Sequence, residues 1–398
     1  MSLLDVITKA ASVNSEVVST QLEYPIVLNS DDIFLKLKPN PETLNPTSLA
    51  TPVIGWQLAE SDTHLIELGK KFHSKLKRKL KDTNHFNKDE FCEILNSYLK
   101  KIGDKVGIST GLSSSDDGYS RALIEKIGFL MGRDVAGLVL DACVSLEAWD
   151  LVETLIVKGL VDYSCYSNLV TSLVAKKRSD LLVLSIKHAT DLGLSDLLRI
   201  LKFFLRPSKE AYSTMENVRK EWESQALSAI EMLKNKNISD KKQRIAKEAA
   251  ILLMLAHDGF STSELCLHYL LASVNIDEVI LSSSIRKLSG EEMMSLIRYL
   301  GKWLKKYETF PQAGPCPKAS STLDLKACDW VPKLDDIVKC LGLVLDENFS
   351  SLVLHSEFHE EVKVIEKMVS SLALESKFCC SVAYVVENLK TNSLGEQN

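Results

Sequence analysis

Apolar residues recur at helical spacing over most of the chain. In "NKDEFCEILNSYLKKIG", Phe91, Ile94, Leu95, Tyr98, Leu99 and Ile102 fall on one face of a helix, and Asn87 with Glu90 three residues later has the form of a capping box. The same box opens apolar runs at Ser261 with Glu264 and at Ser289 with Glu292, while Gly159 and Gly193 stand where helices should stop. Between residues 119 and 205 such helices follow one another through short turns. There "WDLVETLIVKG" (149–159) aligns with "SDLLVLSIKHA" (179–189) at an offset of 30, matching Asp150 with Asp180, Leu151 with Leu181 and Ile156 with Ile186. A helical pair per repeat, each burying its face only against its neighbours, predicts an α-solenoid.

A polar helix or helix pair is expected over 208–247. The segment 309–332, with four prolines, reads as a loop. Residues 1–63 differ from everything after them: five prolines crowd one span, and only Ile33, Leu35 and Leu37 alternate as a brief strand would. The predicted organisation is an irregular tail or linker (1–63), a helical-repeat region (64–308), a proline-bearing loop (309–332) and a C-terminal helical region packed on the array (333–398). The fold class is all-α.

"LDDIVKCLGLVLDENF" (334–349) poses a choice between an acidic site and a nearly buried helix. Leu334, Ile337, Val338, Leu341 and Leu345 form one stripe, widened by Leu343 and Val344. Asp335 and Asp336 sit in the first turn, where carboxylates favour the positive end of the helix dipole, and Asp346 to Asn348 sit where the helix should end. The two acidic groups are separated by roughly 16 Å at about 1.5 Å per residue, too far to act together. A structural helix follows, pairing with a second over 356–373. With Leu341 and Leu345 in the core, Leu345→Ala is expected to cost roughly 2–5 kcal/mol.

Composition narrows the function classes. The 398 residues are 45% hydrophobic and 25% charged, enough for a large core, and the net charge of −5 supplies no bulk positive field for nucleic acid. Nine cysteines without a C-x-x-C spacing suit buried thiols in a reducing compartment. Neither a secretory leader nor an uninterrupted apolar run of about 18 residues is present, so no membrane partner is expected.

Candidate chemistry is sparse. His355 and His359 are four apart beside Glu360 and Glu361, but Ser356 occupies the place where a zinc protease needs its glutamate. Cys266 and His268, two apart on a helix, point away from each other and cannot share a proton. Cys316 lies in the proline-rich loop, where it can be exposed, with no basic neighbour in sequence to lower its pKa. The glycine-rich phosphate and dinucleotide loops and the nucleophile elbow are absent. These readings predict no enzyme, no metal, no cofactor and no small-molecule substrate.

The basic stretches carry more. "KKFHSKLKRKLK" sets Lys70, Lys71, Lys75, Lys77, Arg78, Lys79 and Lys81 around Phe72, Leu76 and Leu80: either a solvated face over a core stripe, or a patch for phosphate or an import receptor. In "GKWLKKY", Trp303 continues the stripe of Met293, Leu296, Ile297 and Leu300, which favours core packing over nucleic-acid stacking by Lys302, Trp303, Lys305, Lys306 and Tyr307. Ser113 and Ser114 in "GLSSSDDGYS" precede acids by three, a weak phosphorylation pattern.

"YLGKWLKKY", the proline-bearing loop, "VPKLDDIVKCLGLVLDENFSSLVLHSEFHEEVKVIEKMVSSL" and the closing "VVENLKT" resemble the helical C-terminal region of the nucleolar protein eleven family, with the nearest local match at Leu345, Asp346, Asn348 and Phe349. The stretch "VSLEAWDLVETLIVKGLVDYSCYSNLVTSLVAKKRSDLLVLSI" also fits that family's helical repeat. The resemblance covers about 120–205 and 285–391 and rests on packing residues. It implies a scaffold of the small-subunit processome, in the subcomplex tied to rDNA transcription. Such a scaffold would be nuclear and nucleolar, with protein partners in a large ribonucleoprotein assembly and a local contact to pre-rRNA; it supplies no active site. The family's N-terminal β-propeller has no counterpart in residues 1–63. The alternative is an α-solenoid adaptor of a trafficking or degradation complex.

Overall fold

The computed structural model describes residues 60–81, 86–108, 111, 118–234, 239–311 and 316–395, with side chains to 389 in the last helix. It distinguishes two compact units, Met1–Glu67 and Leu68–Asn398; of the first, only residues 60–67 are described. The chain is all-α, with sixteen α-helices and no strand among the described residues. The alternation at Ile33, Leu35 and Leu37 lies outside them. Helix α1 (Glu60–Lys81) begins four residues before the expected start of the helical region at 64.

Helices α2 (Lys88–Val106) and α3 (Tyr119–Ile127) lead into α4 (Arg133–Ser145), α5 (Trp149–Val157), α6 (Tyr163–Ala175), α7 (Ser179–His188) and α8 (Leu194–Leu205). The offset of 30 seen in the sequence is the structural period, since α4 and α6 start 30 residues apart and so do α5 and α7. Helices pack in pairs, α2 on α3, α4 on α5 and α6 on α7, and from α3 to α6 each also packs on the helix two further along the chain, so apolar faces such as Leu151, Val152, Leu155 and Ile156 are covered by neighbouring repeats.

The turns repeat as well. Ala148 N–H donates to Cys143 O (2.8 Å), Leu160 to Leu155 O (2.9 Å) and Arg178 to Leu173 O (2.9 Å), the six-to-one bond that closes a helix C-terminus. The residue before each donor is left-handed: Glu147 at φ 54°, Gly159 at 65° and Lys177 at 57°. Only one of the three is glycine, so the turn at 147 and 177 carries no sequence mark. Gly193, expected to end a helix, instead precedes α8 in an extended conformation (φ −65°), and α7 has already closed at Ala189.

The polar stretch after α8 is a hairpin of α9 (Tyr212–Lys234) and α10 (Asp240–His257), followed by α11 (Thr262–Leu271), α12 (Glu278–Ile285) and α13 (Gly290–Thr309). Both expected boxes form: Ser261 with Glu264, and Ser289 with Glu292. At Asn87 only half of one forms, the side chain accepting from Glu90 N–H at 2.8 Å. The described part of 309–332 is helical rather than a loop. It holds α14 (Pro317–Leu323) and a 3₁₀ turn over Lys326–Trp330, which pack against α10, and it buries Cys316, Cys328 and Val331. Pro317 sits in the first turn of α14, where a missing N–H costs nothing.

Helix α15 spans Leu334–Leu354 and α16 spans His359–Gly395, joined by a 3₁₀ turn at Ser356–Phe358. Two expectations change here. The helix expected to stop at Asp346–Asn348 only kinks, at Asn348 (φ −121°), and continues. The second helix does not end at 373 but runs on through the segment "VVENLKT".

Gly103 gives a test of packing in α2. A Cβ there would lie 2.7 Å from Ile108 O and 2.8 Å from Ile127 Cδ1. Glycine to alanine inside a helix normally gains about 1 kcal/mol. Gly103→Ala is instead expected to lower stability by about 1–3 kcal/mol, because a backbone oxygen cannot yield as a side chain does; urea midpoints measure it.

Candidate interaction surfaces

Helix α1 is amphipathic in the way its sequence implies. Phe72 and Leu76 are buried, and Phe72 stacks on Tyr98 of α2 with ring centroids 4.1 Å apart. Lys70, Lys71, Lys75, Lys77, Arg78 and Lys81 are exposed and make no ion pair among the described residues. Lys79 differs from them: its Nζ lies 2.7 Å from Glu90 Oε1. Glu90 therefore holds Lys79 instead of closing the capping box. Six free cations remain on the arc opposite the buried stripe. Ser113 and Ser114 lie outside the described residues.

The other candidates become structural. His359 Nε2 lies 2.9 Å from Val353 O and His355 is exposed, and no cluster of three metal-ligating side chains occurs among the described residues. Asp335 pairs with Lys339 at 2.7 Å, Asp336 accepts from Lys333 N–H at 2.9 Å, and Glu347 accepts from Ser282. The acids of α15 thus secure its start and its contact with α12. Cys316 is buried, against the expectation of exposure, and burial raises its thiol pKa. Trp303 is buried, as its stripe implies.

His268 is the site that the sequence did not reveal. It is fully buried among Trp222, Phe260, Tyr299 and Trp303, with the Phe260 ring 4.8 Å and the Trp303 ring 4.9 Å away. Its Nε2 lies 2.8 Å from Ala256 O, which can only accept, so this nitrogen carries the proton. Its Nδ1 accepts from the Tyr299 hydroxyl at 2.8 Å, and that oxygen accepts from Trp303 Nε1–H at 3.1 Å. Burial pushes its pKa down to about 3. A neutral imidazole with both nitrogens satisfied is a structural pin for α10, α11 and α13. Cys266, also buried, does not reach it by any hydrogen bond, donating weakly to Thr262 O instead.

Two clefts remain. One of about 290 Å³ between α4 and α6 is lined by Asp141, Ser145, Asn168 and Thr171, with the Asp141 pKa raised by partial burial. The other, about 190 Å³ between α11, α12 and α15, has Glu278, Asp336 and Lys339 at its edge. Neither lining includes a histidine, and the one thiol, Cys340, is held protonated by complete burial.

A long uncovered apolar surface among the described residues is on α16. From Ala373 to Leu389 every residue is exposed, including Leu374, Phe378, Val382, Val385, Val386 and Leu389. No family model matches the chain, and no curated protein matches it. The surfaces must be read from their own chemistry. Ser356–Leu389 is the one helix among the described residues long and apolar enough to cross a membrane, with a mean hydropathy of 1.3 in its most apolar window. Length and composition alone decide that test. Lys377, Ser381, Glu387 and Asn388 share the opposite side of the helix, and spanning would put two of those charges in hydrocarbon.

Proposed function

We propose that this chain is a non-catalytic interaction scaffold in nucleolar small-subunit ribosome biogenesis, docking protein partners through uncovered apolar helix faces and contacting pre-rRNA phosphate through α1. The observation that carries the reading is the set of six unpaired cations on α1 above a buried Phe72–Leu76 stripe: the helix is anchored, and its charges are left free. The resemblance of 120–205 and 285–391 to the nucleolar protein eleven family supplies the cellular setting. The apolar length of α16 favours a second reading, an adaptor working at a membrane in trafficking, for which vesicle-like puncta rather than nucleolar signal would speak.

The test changes Lys75, Lys77 and Arg78 to Gln and leaves Lys79, whose loss would also break its pair with Glu90. Glutamine keeps helix propensity close to that of Lys and Arg, so circular dichroism should not change. Nucleolar retention and RNA crosslinking are expected to fall. The slope of log affinity against log salt should drop by about 2, from three lost phosphate contacts at about 0.7 each. Unchanged crosslinking and localisation would return α1 to a solvated face.

A further inference from the structure

Helix α16 docks on α13 with the two running parallel. Gly290 lies against Phe358, Arg298 Nε is 2.8 Å from Glu361 Oε1, Gly301 lies against Ile365 and Met368, and Glu308 bonds Ser371. Helix α13 then ends at Thr309, while α16 continues. The seam continues with it. Ile365 and Met368 hold heptad a and d positions against Gly301 of α13, and the same phase runs on through Leu372, Glu375, Cys379, Val382, Val386 and Leu389, with no described residue covering it from Ala373 onward. Val382 is 62% exposed, Val386 45% and Leu389 63%. The uncovered run, Ala373–Leu389, is about 25 Å long at 1.5 Å per residue.

We propose that this run is a two-fold contact between two copies of the chain, formed by antiparallel pairing of their α16 helices. Continuity with the α13 seam makes the missing occupant a helix. Two such helices, paired from Ala373 to the helix end at Gly395, bury on the order of 1,000 Å² in total, the lower bound for a specific interface. The charge in the seam sets direction. A parallel pair would stack Glu375 on its own copy between apolar layers, two carboxylates without a partner. In the antiparallel register that sets Val382 against Val386 of the other copy, Cys379 meets Leu389, and Glu375 falls outside these apolar layers, level with position 393 near the helix end. An antiparallel contact of this kind is isologous, the same patch serving both subunits, so it closes on itself and does not propagate.

Sedimentation velocity of the purified full chain across a dilution series is the primary test. A shift from monomer to dimer with rising concentration is expected, and Val382→Asp with Val386→Asp should sediment as a monomer throughout. Both side chains are already exposed, so the double variant should keep its helix content and thermal midpoint. Register is read separately by a short bismaleimide in a Cys380→Ser background. Adding Leu389→Cys should increase trapped dimer several-fold through Cys379, whereas a parallel pair would trap Cys379 on Cys379 without that change. A wild-type chain that stays monomeric, a dimer that survives the double variant, or trapping independent of Leu389→Cys would overturn the proposal. So would a monomer that floats with phosphatidylcholine–phosphatidylserine vesicles unless Val382 and Val386 are changed, since the stripe would then face lipid.

Discussion

Acidification is expected to unfold this chain through His268. The imidazole has a folded pKa of about 3 against about 6.5 when exposed, so between those values the unfolded state binds a proton that the folded state refuses. Stability from this group is complete above about pH 6.5 and falls by about 1.4 kcal/mol per pH unit below it, a total approaching 5 kcal/mol at pH 3. Desolvation is the main cause, with the charge of His257 adding to it. Carboxylates also contribute to acid unfolding, so the group is isolated by comparison with His268→Leu. At pH 7 that variant should be less stable by about 1–3 kcal/mol, because Ala256 O loses its donor and the Tyr299 hydroxyl its acceptor. Its urea midpoint should decline less steeply with acid, and the two curves should converge or cross by about pH 5. Parallel curves would mean that His268 titrates in the folded state as it does in water.

The array was legible because its period is written twice, in α5 and α7, and because each unit buries residues of one type on one side. The capping boxes at Ser261 and Ser289 were legible because both partners lie within four residues. What could not be read depends on contacts distant in sequence. His268 lies 31 residues from Tyr299 and 46 from Trp222, and no local spacing marks it as the centre of an aromatic cluster. The turns at Glu147 and Lys177 were hidden because a left-handed residue is usually found by looking for glycine. The prolines of 309–332 signalled a break, but Pro317 is the start of a helix, a role that proline plays equally well. The basic face of α1 was legible residue by residue, except that Glu90, eleven positions from Lys79, takes one of its seven charges out of play.

Helix α15 shows the limit of periodicity most directly, and it carries the second large effect. Its sequence is apolar on nearly every side, so a stripe through Leu341 and Leu345 fits the 3.6-residue repeat as well as one through Leu341 and Val344. The structure buries Ile337, Cys340, Leu341, Val344, Asn348 and Leu352, because α12 and α13 approach from that side. Leu341 is 5% exposed, whereas Leu345, expected in the core, is 37% exposed beside exposed Val338 and Phe349. Leu341→Asp is therefore expected to cost about 3–5 kcal/mol, an unpaired carboxylate facing α12 and α13 in a dry contact. Leu345→Ala should cost under about 1 kcal/mol rather than the core-sized loss that the sequence suggested. Asp335→Asn with Asp336→Asn removes two favourable charges from the helix start, about 0.5 kcal/mol each. Thermal midpoints of the three variants rank these effects, and pull-down with the intact variants reports function apart from folding. Were Leu345→Ala as damaging as Leu341→Asp, α15 would have to be rotated by about one residue, roughly 100°, from the orientation described. If the double Asn variant lost partner binding at full stability, the acids would be a binding site, and the ion pair with Lys339 and the bond from Lys333 would be secondary.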